Sequence, residues 1–332
     1  MIEGICKSFD QCWKGSGMES SLSLKQIQGA VFGLAVADAL GARWEGIPAD
    51  MIQSMGPADA IVAHAEGFEL IYTDDTQMMI SVAQTLSELG EIQTDFLAGK
   101  FAANYQGGRG YGIGARQVID AIAGQEDWQA VATGLFDGTG SMGNGAAMRV
   151  SPIGLLFADN LELISQQARL SSLPTHTHSI GVDGARLIAA ATGLAARSQN
   201  QDFQRNLFLQ QLCDISETEE FQHQLQLAIA MQPFTSLQAF GNTLRADQSV
   251  VTSIICFADA PNDYEQAIGR AIGQGGDVDT LAAMTGTLSG ARLGIDAIPE
   301  RLIGCLEDNH QGRTYLWKLS DDLWDRYQKD RL

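Results

Sequence analysis

Proline and aromatic residues are scarce in this chain of 332 residues, which has 7 prolines and an aromatic content of 7%. Alanine and glycine are abundant, and glycine alone accounts for 36 residues. β-Sheet proteins rely on aromatic and β-branched residues, whereas small residues allow helices to pack closely. The composition therefore favours close-packed helices over a β-sandwich.

Basic residues are also few. The chain has 21 lysines and arginines against 40 aspartates and glutamates, so its net charge is −19. A surface of this charge repels the phosphate backbones of DNA and RNA, which argues against a nucleic-acid partner. A ligand that carries phosphate would need local help from metal ions, arginine side chains or helix N-termini.

Cysteine usage and hydropathy point to a cytoplasmic protein. The five cysteines are scattered, and their number is odd, which fits neither a disulfide framework nor a zinc pattern. No apolar run approaches the ~18 residues of a membrane span, and the first 17 residues lack the order of a signal peptide. We expect no membrane contact, a loosely packed extension over residues 1–20 and one domain over residues 21–332.

Apolar residues recur at helical spacing along most of the chain. Strand signals are thin, since short runs such as 68–72 are the only ones to alternate. The pattern predicts an all-α, single-domain fold whose loops converge on one site. The predicted helices are 25–41, 76–88, 92–105, 114–123, one from about 147, 160–170, 179–197, 202–213, 217–231, 235–245, 248–257, 262–272, 279–294, 299–307 and 314–327.

The first predicted helix carries small residues at Gly29, Gly33 and Ala37, a ridge that suits close approach by another helix. Asp38 continues the apolar stripe of the same helix, so its carboxylate should point inward, where it needs partners. Two roles are open for Asp38. It caps a neighbouring helix, or it helps to order a functional site.

Two acidic clusters lie about 200 residues apart, and each stands where a loop turns into an apolar helix. They are Thr73-Asp74-Asp75-Thr76 and Asp277-Val278-Asp279-Thr280. Helix capping explains one such cluster, because aspartate and threonine are favoured N-cap residues. Capping needs only one side chain, however, and two clusters of one design are harder to explain in that way. Their hard oxygen ligands suit Mg²⁺ or Mn²⁺, so we interpret them as the halves of a two-metal centre.

Other polar motifs are weaker signals. Glu45, read alone, is a surface residue, but beside a metal centre it becomes a candidate ligand or general base. The loop 141–145 offers backbone N–H groups to a phosphate or ribose, or is a plain turn. The segment Arg109-Gly110-Tyr111-Gly112 leaves the same two alternatives, a plain turn or a binding loop whose arginine suits an anion and whose tyrosine suits a flat ring. His176 and His178 either contact a ligand or are ordinary loop histidines, and zinc is disfavoured because no cysteine or third histidine stands nearby in the sequence.

These motifs, in this order, resemble those of the ADP-ribosylglycohydrolase family over residues of about 25 to 325. The motifs are Gly33–Gly41 with Glu45, Tyr72–Thr76, Arg109–Gly112, Gly143–Arg149, Thr175-His176 and Gly275–Thr280. The resemblance implies a compact orthogonal helix bundle with a binuclear Mg²⁺ or Mn²⁺ centre in a cleft. It also implies an enzyme that hydrolyses the glycosidic bond between ADP-ribose and an ADP-ribosylated protein or a small ADP-ribosyl conjugate.

Site residues follow from the resemblance by motif. The implied metal ligands are Thr73, Asp74, Asp75, Asp277, Asp279 and Thr280. The implied ADP-ribose contacts are Ser141, Gly143, Asn144 and His176, which join Arg109, Gly110 and Tyr111 as the candidate substrate-binding residues. Glu45, Asp74 and Asp279 are the candidate catalytic groups. Ser141 stands where the dinitrogenase-reductase branch of the family carries an acid, which argues against an arginine linkage.

Three alternatives remain open at this level. A two-metal phosphohydrolase would release phosphate instead of free ADP-ribose. A non-catalytic ADP-ribose-binding or crystallin-like structural protein would keep the fold without turnover. A third enzyme would cleave another conjugate, such as an O-acyl-ADP-ribose. The sequence indicates neither the acceptor, the choice of metal nor the oligomeric state.

Overall fold

The structure is a computed structural model that describes residues 22–56, 62 and 67–331. Its described residues form α-helices joined by loops, with two isolated β-bridges and no sheet among them. The helices are α1 (Leu24–Gly41), α2 (Ala49–Ser54), α3 (Asp74–Leu89), α4 (Thr94–Asn104), α5 (Ile113–Ala123), α6 (Trp128–Gly134), α7 (Ser151–Leu156), α8 (Leu161–Ser172), α9 (Ser179–Arg197), α10 (Arg205–Ile215), α11 (Glu219–Ala230), α12 (Ala246–Asp259), α13 (Tyr264–Ile272), α14 (Val278–Leu293), α15 (Glu300–Cys305) and α16 (Arg313–Lys329). The prediction of an all-α, single-domain fold is confirmed.

Helices α1 and α14 form the central pair of the fold. Glycines on both helices bring their backbones together, because a Cβ atom on Gly290 would lie 1.9 Å from the carbonyl oxygen of Gly29. Gly33 and Gly286 meet in the same way one turn further along. Nearly all of both helices is buried, so the close approach predicted for Gly29 and Gly33 is confirmed.

The other long helices surround this pair. Helices α9, α12 and α13 pack on α14, while α16 packs on α1 and on α3. Helices α5 and α6 share a small apolar cluster of Val118, Ala132 and Leu135, and α5 also packs on α4. No helix in the described part of the chain is long and apolar enough to cross a bilayer.

Most helix predictions agree with the structure to within about three residues, but the predicted helix over 235–245 is wrong. That segment is a loop, in which Gly241 adopts a left-handed backbone conformation with a φ of 86°. The backbone oxygen of Asn242 accepts a hydrogen bond from the amide of Asp277 at 3.0 Å. The short helices α2 and α6 were not predicted, and the extension predicted over 1–20 lies outside the described residues.

The alternating run at 68–72 does not form a strand of a sheet, but it makes one parallel bridge, between Leu70 and Leu306. The amide of Leu70 donates to the carbonyl of Cys305 at 2.8 Å, and the amide of Glu307 donates to the carbonyl of Leu70 at 2.9 Å. A segment near the C-terminus thereby holds the chain that leads into α3.

Candidate active site

The two acidic clusters meet in the structure, although about 200 residues separate them in the sequence. Thr73 is the N-cap of α3, Asp277 is the N-cap of α14, and the two helix N-termini face each other. The hydroxyl of Thr280 donates to Oδ2 of Asp75 across this gap at 3.5 Å. Asp74, Asp75, Asp277 and Asp279 are all buried, as expected for rigid, desolvated ligands. The positive ends of both helix dipoles partly offset the crowded negative charge.

Asp38 lies beneath the first cluster and is fully buried. Its carboxylate accepts hydrogen bonds from the amide and hydroxyl of Thr73, at 3.0 and 2.8 Å. It also accepts them from the amide and hydroxyl of Thr76, at 3.1 and 2.5 Å. Asp38 therefore caps α3 and fixes the acidic cluster at the same time, which unites the two roles left open by the sequence.

The pKa values of these acids are raised, because burial and crowding make their ionised forms unfavourable. Burial, and then the neighbouring carboxylates, raise the pKa of Asp75 and of Asp279 well above the ordinary value. The same causes raise the pKa of Asp74 to about 8. Burial also raises the pKa of Asp277, against the hydrogen bond from Asn144. Bound cations would relieve this repulsion, because they stabilise the ionised form of each carboxylate.

The donor atoms of the site fit hard divalent cations. Oxygen atoms of Glu45, Asp277 and Asp279 all lie within 4.8 Å of one another. Oδ1 of Asp75 is buried and has no hydrogen-bond partner in the described structure, although a buried acceptor normally has one. Carboxylate and hydroxyl oxygens without nitrogen or sulfur ligands are the set that Mg²⁺ and Mn²⁺ prefer.

Neighbouring loops fix the second cluster. The side-chain amide of Asn144 donates to Oδ2 of Asp277 at 2.5 Å and to the hydroxyl of Ser249 at 3.0 Å. The amide of Gly46 donates to the carbonyl of Gly276 at 3.0 Å, which ties the Glu45 loop to the same cluster. Val278, between the two aspartates, is fully buried in the core, so its side chain is not available to a cation.

The acids lie in a cleft with a volume of about 570 Å³. This volume is within the range of small-molecule sites, about 300–1,000 Å³. The acidic cluster contributes Glu45, Asp74, Asp75, Asp277, Asp279 and Thr280 to its lining. The cleft is also lined by Gly110, Ser141, Gly143, Asn144, Gly145 and His176. The structure thus brings together most of the site residues that the sequence indicated.

His176 lies against the glycine-rich loop with its ring enclosed by small residues. A Cβ atom on Gly143 would lie 3.3 Å from Nε2 of His176, and one on Gly145 would lie 3.0 Å from Cε1. Burial, and then the charge of Arg149, lower the pKa of His176 to about 3, so the imidazole is neutral at physiological pH. The side chain of His178 instead caps α9, where Nδ1 accepts from the amide of Ile180 at 3.2 Å.

The prediction that Arg109 and Tyr111 bind the substrate needs correction, because the side chains of these two residues do not line the cleft. The guanidinium of Arg109 forms a buried ion pair with Glu307 and donates to the carbonyl of Tyr72 at 2.7 Å. The hydroxyl of Tyr111 donates to the side chain of Gln77 at 2.8 Å. Of this segment, Gly110 and Gly112 face the cleft. A Cβ atom on Gly110 would lie 3.3 Å from Oδ1 of Asp74.

The cleft also contains residues that were not predicted from the sequence. Phe136, Ile113 and Leu244 line the cleft although more than half of each side chain is exposed. They form an apolar rim that suits a flat or apolar part of a ligand. Arg149 and Arg245 are the basic residues among those that line the cleft. Arg149 could have been assigned to the site from the sequence, because it ends the Gly143–Arg149 motif. No sequence motif marks the apolar rim.

Comparisons with known proteins all relate this chain to proteins described as ADP-ribosylglycohydrolases or ADP-ribosylhydrolases. A family model described as ADP-ribosylglycohydrolase matches residues 19–332. The ADP-ribosylhydrolase ARH3 of Danio rerio is 31% identical over 323 residues, which cover 84% of this chain and 85% of that protein. The ADP-ribosylhydrolase ARH3 of Homo sapiens is 30% identical over 323 residues and has 84% and 88% coverage. A solved structure titled ADP-ribosylglycohydrolase-related protein complex matches with a TM-score of 0.66 at 22% identity, over 92% of this chain and 98% of that one. This structural likeness concerns the fold alone.

Proposed function

The chain belongs to the ADP-ribosylglycohydrolase family of hydrolases, and we propose that it uses two divalent cations to hydrolyse the bond between ADP-ribose and an acceptor. The observation that carries the proposal is the meeting of four buried aspartates in one cleft with the glycine-rich loop and His176. The names of the ARH3 relatives support an ADP-ribosylated protein or a small ADP-ribosyl conjugate as substrate.

We assign the cations to the oxygen atoms of both clusters. The ligands would be Thr73, Asp74, Asp75, Asp277, Asp279 and Thr280. The unpartnered Oδ1 of Asp75 and the raised pKa values of these acids support the assignment. When bound, Mg²⁺ or Mn²⁺ would supply positive charge that orients the ribose hydroxyls and makes a nearby water more acidic.

Other residues of the cleft would hold the rest of ADP-ribose. Backbone N–H groups of the loop from Ser141 to Gly145 suit the diphosphate, and the neutral ring of His176 suits an oxygen of the same ligand. The exposed ring of Phe136 offers a stacking surface for the nucleobase, the role that Tyr111 cannot fill from its buried position.

Hydrolysis requires one proton acceptor beside the anomeric carbon. Glu45 is exposed and lies within reach of Asp277 and Asp279, so we propose that it takes the proton of the attacking water. The water oxygen bonds to the anomeric carbon while the bond to the acceptor breaks through an oxocarbenium-like state. The acceptor leaves with a proton, and free ADP-ribose is the second product.

The test is incubation of the protein with ADP-ribosyl-arginine, ADP-ribosyl-serine and O-acetyl-ADP-ribose in Mg²⁺, in Mn²⁺ and in a chelator. We expect release of ADP-ribose from at least one conjugate in the presence of metal and none in the chelator. Asp277→Ala and Asp279→Asn should abolish both metal binding in calorimetry and turnover.

Glu220→Gln is the matched control for Asp279→Asn, because both acids lie in the first turn of a helix but Glu220 is exposed on α11. This variant should keep full activity. Turnover that survives chelation would contradict the role of the metals. Release of phosphate in place of ADP-ribose would indicate a phosphohydrolase.

A further inference from the structure

Arg149 is the most unusual charged residue in the structure. Its side chain is fully buried, yet it forms no ion pair with any carboxylate of the described residues. One nitrogen, Nη2, donates to the carbonyl of Ser171 at 2.9 Å and to the hydroxyl of Thr175 at 2.8 Å. The ring of Phe101 lies 4.5 Å from the guanidinium carbon. A buried cation without a carboxylate is costly, so the hydrogen bonds that Arg149 forms must offset its lost hydration.

The hydroxyl of Thr175 connects Arg149 to His176. Oγ1 of Thr175 lies 2.7 Å from Nδ1 of His176, while the other ring nitrogen makes no hydrogen bond within the described part of the chain. His176 lines the cleft, and that second nitrogen, Nε2, lies on the side of Gly143 and Gly145. Thr175 itself is buried, so water does not compete for its hydroxyl.

Counting hydrogens selects one tautomer of the ring. An arginine only donates, so Oγ1 of Thr175 must accept from Arg149. If Nδ1 of His176 also donated, the hydroxyl hydrogen of Thr175 would be buried without an acceptor in the described structure. If the hydroxyl donates to Nδ1 instead, the hydroxyl hydrogen of Thr175 has an acceptor and the ring hydrogen sits on Nε2.

We propose that Arg149 is a positioning residue, which acts through Thr175 to hold His176 in the tautomer whose Nε2–H donates into the cleft. The donor would meet an oxygen of the ligand, so this part rests on the proposed binding of ADP-ribose. The tautomer itself does not depend on any ligand. The charge of Arg149 has a second effect, since it adds to burial, the larger cause, in lowering the pKa of His176 and so favours the neutral imidazole.

The experiment is ¹⁵N NMR of the histidine rings in the full chain, with ADP-ribose affinity measured by calorimetry on the same samples. The signal of His176 is assigned by its loss in His176→Gln. In the wild-type protein we expect Nε2 of His176 to be protonated and Nδ1 to be unprotonated. Thr175→Val and Arg149→Met should give a mixture of tautomers and weaken ADP-ribose binding about tenfold, the loss of one hydrogen bond.

Two further variants separate positioning from a general structural role. Thr175→Ser keeps the hydroxyl and should restore both the tautomer and the affinity. Thr177→Val is the matched control, because that hydroxyl contacts the carbonyl of Ala132 at 3.5 Å and not His176. If Arg149→Met does not fold, Thr175→Val alone decides the question.

A wild-type ring with its hydrogen on Nδ1 would overturn the proposal, and so would a Thr175→Val variant with unchanged tautomer and affinity. A protein that shows the Nε2–H tautomer but does not bind ADP-ribose would support the role of Arg149 and refute the proposed function. The two ideas can therefore fail separately.

Discussion

Asp38 shows how a single side chain serves both the fold and the candidate metal centre. It contributes no oxygen to the group formed by Glu45, Asp277 and Asp279, yet its carboxylate holds Thr73 and Thr76 in place. Groups that orient metal ligands in this way often matter nearly as much as the ligands.

We expect Asp38→Asn to weaken Mn²⁺ binding about 10- to 100-fold, the usual cost of losing an orienting partner. The new amide would present a donor to the N–H and O–H groups that now donate to Asp38. Calorimetric titration with Mn²⁺ measures the change.

Asp183→Asn is the matched control for this substitution. Asp183 is buried on α9 and accepts from the amide and hydroxyl of Thr218, the N-cap of α11, both at 2.9 Å. It does not line the cleft, so its loss should lower stability and leave Mn²⁺ affinity unchanged. Equal loss of affinity in both variants would contradict a specific role for Asp38.

Residues in the site differ in how far the sequence could assign them. The aspartates could be assigned to the site from the sequence, because helix capping does not require two similar acidic clusters at helix N-termini. Arg109 was not, because its ion-pair partner Glu307 lies about 200 residues away and carries no motif of its own. An arginine in a glycine-rich loop looks the same in sequence whether it binds a ligand or a buried carboxylate.

At the level of elements, the contact between α1 and α14 connects the core to the site. Asp38 lies near the end of α1, and Asp279 lies in the first turn of α14. Gly41 touches this turn directly, since a Cβ atom there would lie 2.6 Å from the Cα atom of Asp279. Any change in the spacing of the two helices therefore moves the acids relative to one another.

We expect Gly290→Ala to destabilise the protein by about 1–3 kcal/mol or more, because the new methyl group would overlap the backbone of Gly29. Urea unfolding followed by circular dichroism measures the loss. Gly99→Ala is the control, since Gly99 lies in α4 and a Cβ atom there meets nothing within 4 Å. That substitution should be stabilising by roughly 0.5–1 kcal/mol. Gly290→Ala with wild-type stability would contradict the close contact.

Element boundaries were largely predictable from apolar spacing, and the failure at 235–245 has a physical cause. Leu237 and Phe240 are buried and three residues apart, which imitates one face of a helix. Tertiary contacts override this pattern, because Asn242 uses its backbone to hold Asp277 and its side chain to bond the carbonyl of Gln274. The sequence does not reveal that the loop is needed to position the second acidic cluster.

For the molecule as a whole, the buried acids make stability depend on pH. Burial, followed by neighbouring charge, raises the pKa of Asp74 to about 8, and burial raises that of Asp38 to about 6. An acid whose pKa rises on folding keeps its proton in the folded state after the unfolded chain has lost it. The stability that it contributes is therefore present at low pH and is lost as the pH rises through the folded pKa.

We expect the metal-free protein to have a lower Tm at about pH 8.5 than at about pH 6.5, because this window spans the pKa of about 8 of Asp74. Thermal unfolding in a chelator, followed by circular dichroism, measures this. Added Mn²⁺ should remove most of the difference, because it neutralises the ionised acids. A Tm that is constant or rises over this range without metal would show that the acids are not crowded in solution.

The bridge between Leu70 and Leu306 and the ion pair of Glu307 with Arg109 also bear on protein synthesis. When the ribosome has synthesised only the first acidic cluster, the nascent chain lacks Asp277 and Asp279. It also lacks Leu306 and Glu307, which form the bridge and the ion pair. The chain must be translated at least as far as residue 307 before the cleft can assemble. A premature stop codon upstream of residue 307 would therefore yield an inert product, even when every acid of the cleft has already been made.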